Sequence, residues 1–342
     1  MEKITKFRSD QIHTILYKQA NPEDVLALEL GEKYREYRDK WNRASKCELV
    51  GRFPLHLNFE LFHGCNLRCT MCSYSLPLSR WNYKVKPEKR VSFEKYCEII
   101  DEGVWHGLLA IQLNGQNEPL LQRDLTRYIR YAKKAGVIDI FIVTNATLLT
   151  PEISGDLIES GLTQIKFSID SALKKTYEKI RIGGNFEKTI SNINSFIEIK
   201  KRMKKALPIT RVSFIKTKEN MSEMDDFVRY WADKVDYITV QNMVNPFWGK
   251  KKYESIENTF RVDGISLKEC PMPYQRLFIR NDGDVLPCCS SYGYEIPVGN
   301  IYENSIHEIW NSSRMKKMRT NINGSVEAQP GPCKKCRRAI NG

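Results

Sequence analysis

The sequence predicts an α/β fold: an incomplete barrel of parallel strands followed by a small, cysteine-anchored α+β unit. Three observations predict it. From residue 55 onward, six strand-like runs alternate with amphipathic helical segments, and such alternation builds right-handed parallel crossovers. Six runs fall short of the eight that close a TIM barrel. After about residue 245 the rhythm breaks, and a hairpin pattern, a helix and cysteine pairs follow.

Residues 1–50 are charged and read as a helical extension, typified by ALELGEKYREYRDKWNR. The strand-like runs are LHLNFELF (55–62), LAIQLNG (109–115), DIFIVTN (139–145), QIKFSID (164–170), TRVSFIK (210–216) and DYITVQN (236–242). Helix candidates lie at about 92–105, 122–135, 151–160, 186–203 and 221–234, with turn signals in KKAGV and ESGL. NPFWGKKKYES reads as a linker, which divides the chain into units at 1–50, 51–245 and 246–342. Beyond it, YQRLFIRNDGDVLPCC reads as a hairpin, with Gly283 at the tip where positive φ is needed. SIHEIWNSSRMKKMRTN reads as a helix, and GPCKKCRR closes the unit.

Lys and Arg number 54 against 41 Asp and Glu, a formal charge of +13. The bland reading of the lysine clusters is solvated surface; the sharper one is docking to an acidic protein partner. Nucleic-acid motifs are not visible, so nucleic acid is not expected as a partner. The stretch MEKITKFRSDQIH carries no apolar signal core, and no run approaches a membrane span. A cytoplasmic protein without membrane contact is expected. Ten cysteines in such a chain point to metal or redox chemistry rather than disulfides.

Functional residues of these folds sit at strand C-termini. Here those ends read HGC, NGQNEP, TNA and SIDS. Turn chemistry accounts for their polarity, but not for Cys65, Cys69 and Cys72 in HGCNLRCTMCSYS. A structural zinc site wants four protein ligands, and no fourth cysteine lies nearby in sequence. An iron–sulfur cube with three thiolates leaves one iron open to a small molecule.

This Cys-x3-Cys-x2-Cys loop after a first strand resembles the hallmark of the radical S-adenosylmethionine (SAM) superfamily. The resemblance implies a partial (β/α)6 TIM-like barrel and a 4Fe–4S cluster on Cys65, Cys69 and Cys72. It implies that the open iron binds SAM and that one electron yields a 5′-deoxyadenosyl radical. GQNEP resembles the family's GGEP motif, with a Gln116-Asn117 pair in place of the second glycine. SAM contacts are thereby carried to Gly115, Asn117 and Glu118, to Ser168 and Asp170 in SIDS, and to Asn145 in TNA. Met71 stands where the family commonly has an aromatic residue against the adenine. For Glu118, Ser168 and Asp170, ordinary capping and turn roles compete.

The later cysteines Cys270, Cys288, Cys333 and Cys336 resemble the SPASM/twitch extension of the same superfamily. The shorter twitch form implies one auxiliary 4Fe–4S cluster on those four. A zinc ribbon is the competing reading. Cys289 is left over as a packed thiol, an exchangeable ligand or a hydrogen donor, while Cys47 and Cys97 read as structural.

The cysteine order resembles that of a twitch-type aminocyclitol dehydrogenase. The expected reaction is oxidation of a carbinol in a sugar-like small molecule, with the auxiliary cluster accepting an electron. Epimerisation with Cys289 as donor and peptide maturation compete as enzyme outcomes. An iron–sulfur electron carrier and a zinc-stapled nucleic-acid module compete as non-enzymes. A flavodoxin or ferredoxin is expected as reductant. Substrate contacts are assigned to Arg211, Gln241, Asn242 and Tyr74 by their place near barrel ends.

Overall fold

The computed structural model describes residues 5–8, 13–17, 20–75, 84, 86–242, 269–290 and 292–341. Elements follow in the order β1 (Thr5–Arg8), β2 (His13–Tyr17), α1 (Pro22–Leu30), α2 (Glu32–Ser45), β3 (His56–Phe59), α3 (Phe93–Trp105), β4 (Ala110–Gln112) and α4 (Leu125–Ala135). Next come β5 (Asp139–Thr144), α5 (Pro151–Glu159), β6 (Gln164–Ser168), α6 (Lys174–Ile180), α7 (Phe186–Arg202), β7 (Ile209–Lys216), α8 (Met224–Trp231) and β8 (Tyr237–Asn242). The C-terminal part holds α9 (Met272–Gln275), β9 (Arg276–Ile279), β10 (Asp284–Leu286), β11 (Gly299–Asn300), α10 (Ile306–Asn311), α11 (Ser313–Ile322) and α12 (Gly331–Asn341).

All six expected strands form, and they pair in parallel from β3 to β8. Among the described residues the sheet has 11 strands in the order β1-β2-β8-β7-β6-β5-β4-β3-β9-β10-β11 and does not close. The helices start where the sequence supplies caps. Ser92, Thr150 and Asn185 each accept a backbone N–H of the first turn of α3, α5 and α7. Their buried faces then cover the outside of the sheet: Phe167 meets Phe196 edge-on at 5.5 Å, and Phe214 meets Phe227 at 5.0 Å.

Three expectations need correction. The first 50 residues are not helical throughout. Thr5–Arg8 and His13–Tyr17 form a hairpin that adds antiparallel to β8, because the unpaired edge of β8 offers hydrogen bonds that the local sequence does not reveal. The single helix read over SIHEIWNSSRMKKMRTN is two, since Ser312 is extended (φ −61°, ψ 156°) and caps α11 by accepting from Met315 N. Helix α6 was not foreseen. The linker NPFWGKKKYES lies outside the described residues, as does the boundary placed after residue 245.

Two placements matter for the site. Helices α1 and α2 cover the N-terminal ends of the strands, where Tyr34 and Tyr37 pack with Ala110, Ile209 and Tyr237. Strand β9 runs parallel to β3, so the C-terminal unit continues the barrel sheet. Gly283 has φ 90° at the β9–β10 turn, as its position at the tip required.

Trp310 of α10 joins the two parts. It is fully buried, donates from Nε1 to Gly51 O at 2.8 Å and lies under the Arg319 guanidinium at 4.1 Å. Trp310→Ala is expected to cost about 3–5 kcal/mol. A urea titration followed by circular dichroism should show one transition at a lower midpoint; an unchanged midpoint would contradict this packing.

Candidate functional site

The loop carrying Cys65, Cys69 and Cys72 leaves the sheet after β3 and is pinned by its backbone. Arg68 N donates to Ile182 O and Thr70 N to Ile180 O, both at 2.9 Å, which ties the loop to the α6–α7 connection. Cys72 N donates to Cys69 O at 3.1 Å, and Ser75 Oγ donates to the same carbonyl at 2.6 Å. Leu67 anchors the turn in the interior. Burial pushes all three thiols up, Cys72 to about 11, and the charges of the other two thiols push Cys72 in the same direction. Such thiols keep their protons until a metal displaces them.

Arg181 meets this loop. It is buried, its guanidinium holds the Asp170 carboxylate, and its Nη1 lies 3.7 Å from Cys69 Sγ. Sequence reasoning missed it, since no motif surrounds it. Asp170 also accepts from Ile215 N at 2.8 Å and has φ 63°. A left-handed aspartate at a strand end is a constrained backbone position, held here by Arg181 and Ile215 N.

The remaining strand ends converge on the same mouth. Glu118 accepts from Leu120 N (3.1 Å), Thr144 Oγ1 (2.6 Å) and Asn145 N (2.7 Å), so it both caps its own turn and holds the end of β5. Burial raises its carboxyl above the usual range. Asn117 accepts Gly115 N at 2.8 Å. Asn145 Nδ2 donates to Asn66 Oδ1 at 3.0 Å, and Asn66 Nδ2 donates to Thr147 Oγ1 at 2.8 Å, which couples the cysteine loop to β5. Gly115 is required where it stands: a Cβ there would overlap the Phe278 ring and lie 2.6 Å from Glu60 Oε2. Ser168 and Met71 are half-buried near the mouth.

Glu60 is the second residue that the sequence concealed. It is fully buried and reached by His63 Nδ1 (3.1 Å), Gln116 N (3.3 Å) and Tyr294 OH (2.7 Å). One carboxylate thus touches the start of the cysteine loop, the GQNEP loop and the C-terminal unit. Tyr74 lies against His63 with the rings tilted at 46° and 4.9 Å apart, beneath the Arg68 guanidinium at 4.8 Å.

Of the later cysteines, Cys270 and Cys336 lie near Cys288, whereas Cys333 packs against the main hydrophobic core. Burial raises the Cys288 thiol strongly, and the charges of Cys289, Cys270 and Cys336 add to this. Ser290 Oγ is 3.7 Å from Cys336 Sγ. Cys333 and Cys336 lie three residues apart on α12, on one helix face. Cys47, read as structural, sits beside this set: its Sγ is 3.8 Å from Cys270 O and accepts from Asn323 Nδ2 at 3.2 Å. Cys97 packs against the barrel core, and Cys289 is exposed.

Of the expected substrate contacts, Gln241 lies near the end of β8, whose last residue is Asn242, whereas Arg211 is the third residue of β7. Arg211 therefore lines the barrel below the mouth instead of standing at its end. Its neighbour Lys166 was overlooked, although QIKFS places it in phase with Ser168.

Comparison with known proteins agrees with this geometry. A family model for the radical SAM superfamily matches residues 59–230, half of the chain, and one for an iron–sulfur cluster-binding domain (SPASM) matches residues 270–337. The chain is 28% identical over 316 residues to an AdoMet-dependent heme synthase of Methanosarcina barkeri, covering 78% of this chain and 85% of that one. It is 28% identical over 240 residues to a GTP 3′,8-cyclase of Alkaliphilus oremlandii, covering 67% and 72%. Among solved structures, SuiB of Streptococcus suis bound to S-adenosylmethionine superposes with a TM-score of 0.58 at 14% identity, covering 98% and 94%. AdoMet-bound anSMEcpe superposes with a TM-score of 0.58 at 17% identity, covering 83% and 88%.

The cofactors are two iron–sulfur clusters and SAM. The donor sets fit them. Both sets consist of thiols, Cys69 buried and the rest half-buried, the donor type that such clusters use. Among the described residues no three Cys, His, Asp or Glu side chains are close enough to enclose a single ion, and a cluster spreads its thiolates over several irons.

Arg181→Met would leave the Asp170 carboxylate buried without its counter-charge, at an expected cost of about 3–5 kcal/mol. Adding Asp170→Asn should recover part of that loss in a double-mutant cycle measured by denaturant unfolding. Strictly additive costs would show that the pair does not couple.

Proposed function

The chain belongs to the radical SAM superfamily, and we propose that it oxidises a carbinol of a sugar- or aminocyclitol-like small molecule held in its barrel. Cys65, Cys69 and Cys72 would hold the cluster that binds SAM, and Cys270, Cys288, Cys333 and Cys336 the auxiliary one. Bound there, these groups would supply a 5′-deoxyadenosyl radical and an acceptor for one substrate electron.

The observation that carries this reading is the short path between the two cysteine sets. Gly293 lies against Cys288, its neighbour Tyr294 donates to Glu60, and Glu60 binds His63, two residues before Cys65. This link between the two sets supports an enzyme that both abstracts hydrogen and removes an electron.

The residues of the chain position the reactants. The backbone of Gly115, with Asn117, Glu118 and Asn145, would line the methionine end of SAM; Ser168 and Asp170 would face its ribose or carboxylate, and Met71 would pack on the adenine. A carboxylate offers about four acceptor sites. Protein donors take three on Glu118 and two on Asp170, which leaves each able to accept from SAM while anchored. Helices α1 and α2 at the barrel floor exclude water from that end, which protects a radical intermediate.

Exposure of Cys289 favours a second reading, epimerisation with that thiol as hydrogen donor. The product separates the two readings: a ketone for oxidation, an inverted alcohol for epimerisation.

The test is anaerobic reconstitution followed by SAM and dithionite. 5′-Deoxyadenosine should appear in chromatography, and joint replacement of Cys65, Cys69 and Cys72 by alanine should abolish it and halve iron and sulfide. Iron-loaded wild-type protein that releases none would sink the proposal.

The expected physiological reductant is a flavodoxin or ferredoxin. Such proteins are acidic, and the +13 charge would steer them. Reduction by a flavodoxin should slow as ionic strength rises; a flat dependence would remove electrostatic steering from the account.

A further inference from the structure

Two cations line the barrel without an ion pair to any carboxylate among the described residues. On β6, Ile165 and Phe167 are fully buried toward the helices. Strand side chains alternate, so Gln164, Lys166 and Ser168 point into the lumen. On β7 the Phe214–Phe227 contact with α8 turns Arg211 and Ser213 inward, and on β8 buried Ile238 and Val240 do the same for Thr239 and Gln241. Lys166 and Arg211 are register partners on adjacent strands, and the Arg211 charge acts on Lys166.

No ion pair between described residues includes either one. Lys166 Nζ makes one hydrogen bond, to Gln241 Oε1 at 3.4 Å. Asp170, whose charge reaches Lys166, is already held by Arg181 and Ile215 N. The Arg211 guanidinium lies over the rings of Phe141 at 5.0 Å and Tyr237 at 5.4 Å. Its Nε and Thr239 Oγ1 are buried without a hydrogen-bond partner.

An uncompensated cation pair in such surroundings is unfavourable. Burial, then the Arg211 charge, push the Lys166 ammonium down to about 7. The Lys166 stem also reaches upward. Its backbone pairs with Arg211, while its partner Gln241 pairs with Ile215, four residues nearer the mouth. The ammonium therefore sits between the barrel interior and the SAM-facing strand ends. The aromatic rings hold the planar guanidinium fork in place, which suits bidentate recognition of an oxyanion.

We propose that Lys166 and Arg211, with Gln241 and Thr239, form a subsite for an oxyanion, phosphate or carboxylate, carried by the small-molecule substrate. The subsite rests on the reading that this substrate occupies the lumen. A bound oxyanion would satisfy both cations and the two unpartnered donors together, and would orient the rest of the molecule toward the mouth.

The test is calorimetric titration of the anaerobically reconstituted, SAM-loaded protein with inorganic pyrophosphate in one arm and succinate in the other. Saturable binding in either arm is expected, and the stronger arm identifies the anion. Lys166→Met and Arg211→Met should each weaken it about 10- to 100-fold, and Arg211→Lys less. A second readout guards against misfolding. Without anion, Lys166→Met should melt no lower than wild type, because a half-buried cation without an ion pair is removed, and it should lose the upward shift that wild type gains from the anion. Wild type that binds neither probe, or variants that bind as tightly as wild type, would overturn the subsite. The titration needs no turnover. Anion binding with no 5′-deoxyadenosine would support the subsite and overturn the radical reading.

Discussion

A single buried carboxylate organises this molecule. Glu60 has no exposed surface, so its charge must be satisfied internally. The three groups that satisfy it come from three different places: His63 at the start of the cysteine loop, Gln116 in the loop after β4, and Tyr294 in the C-terminal unit. None of these could move away without leaving a buried carboxylate short of a partner. The strand alignment reinforces the same joint, since β9 pairs with β3 over the residues just before Glu60. The two cysteine sets are thus held in a fixed relation by hydrogen bonding and by a shared sheet.

What the sequence disclosed and what it hid divide along one physical line. Local patterns were legible. The six barrel strands are apolar runs, the cysteine loop is one short segment, and Gly283 marks its own turn by needing positive φ. The split of the late helix at Ser312 was missed, although NSS before a helical run carries a cap signal. Helix α6 was not, because KKTYEKI buries little beyond Tyr177 and Ile180. Relations across the chain were hidden. The partners of Glu60 include one 234 residues away, and no periodicity announces that β9 will sit beside β3. The β1–β2 hairpin exists because β8 has an edge to offer, which is a property of the assembled sheet.

The candidate site follows the same division. The thiols were found by spacing, which local metal chemistry dictates. Arg181 and Lys166 were not found, because an isolated basic residue in a strand or loop is indistinguishable from a solvated one until its surroundings are known. Placement decides their meaning. Arg181 has a carboxylate and a thiol; Lys166 has a second cation and an amide.

That contrast orders the barrel along its axis. At the floor, aromatic residues of α2 meet a basic ring: Trp41 lies against the Arg276 guanidinium at 4.6 Å and faces His56 at 6.1 Å. There stacking works beside ion pairing, since Arg38 lies over Trp41 at 5.7 Å and pairs with Glu23 at 2.8 Å. At the mouth, Arg181–Asp170 and the Glu118 and Glu60 networks pair each charge with protein partners, which suits a surface that must receive a zwitterionic co-substrate without rearranging. Between the two lies the layer of Lys166 and Arg211, where neither device operates fully. A fold that pairs its charges above, and stacks and pairs them below, leaves Lys166 and Arg211 between the two without an ion pair among the described residues, which is why the proposed anion subsite is placed there. The same strands, alternating in and out, build both that layer and the lumen.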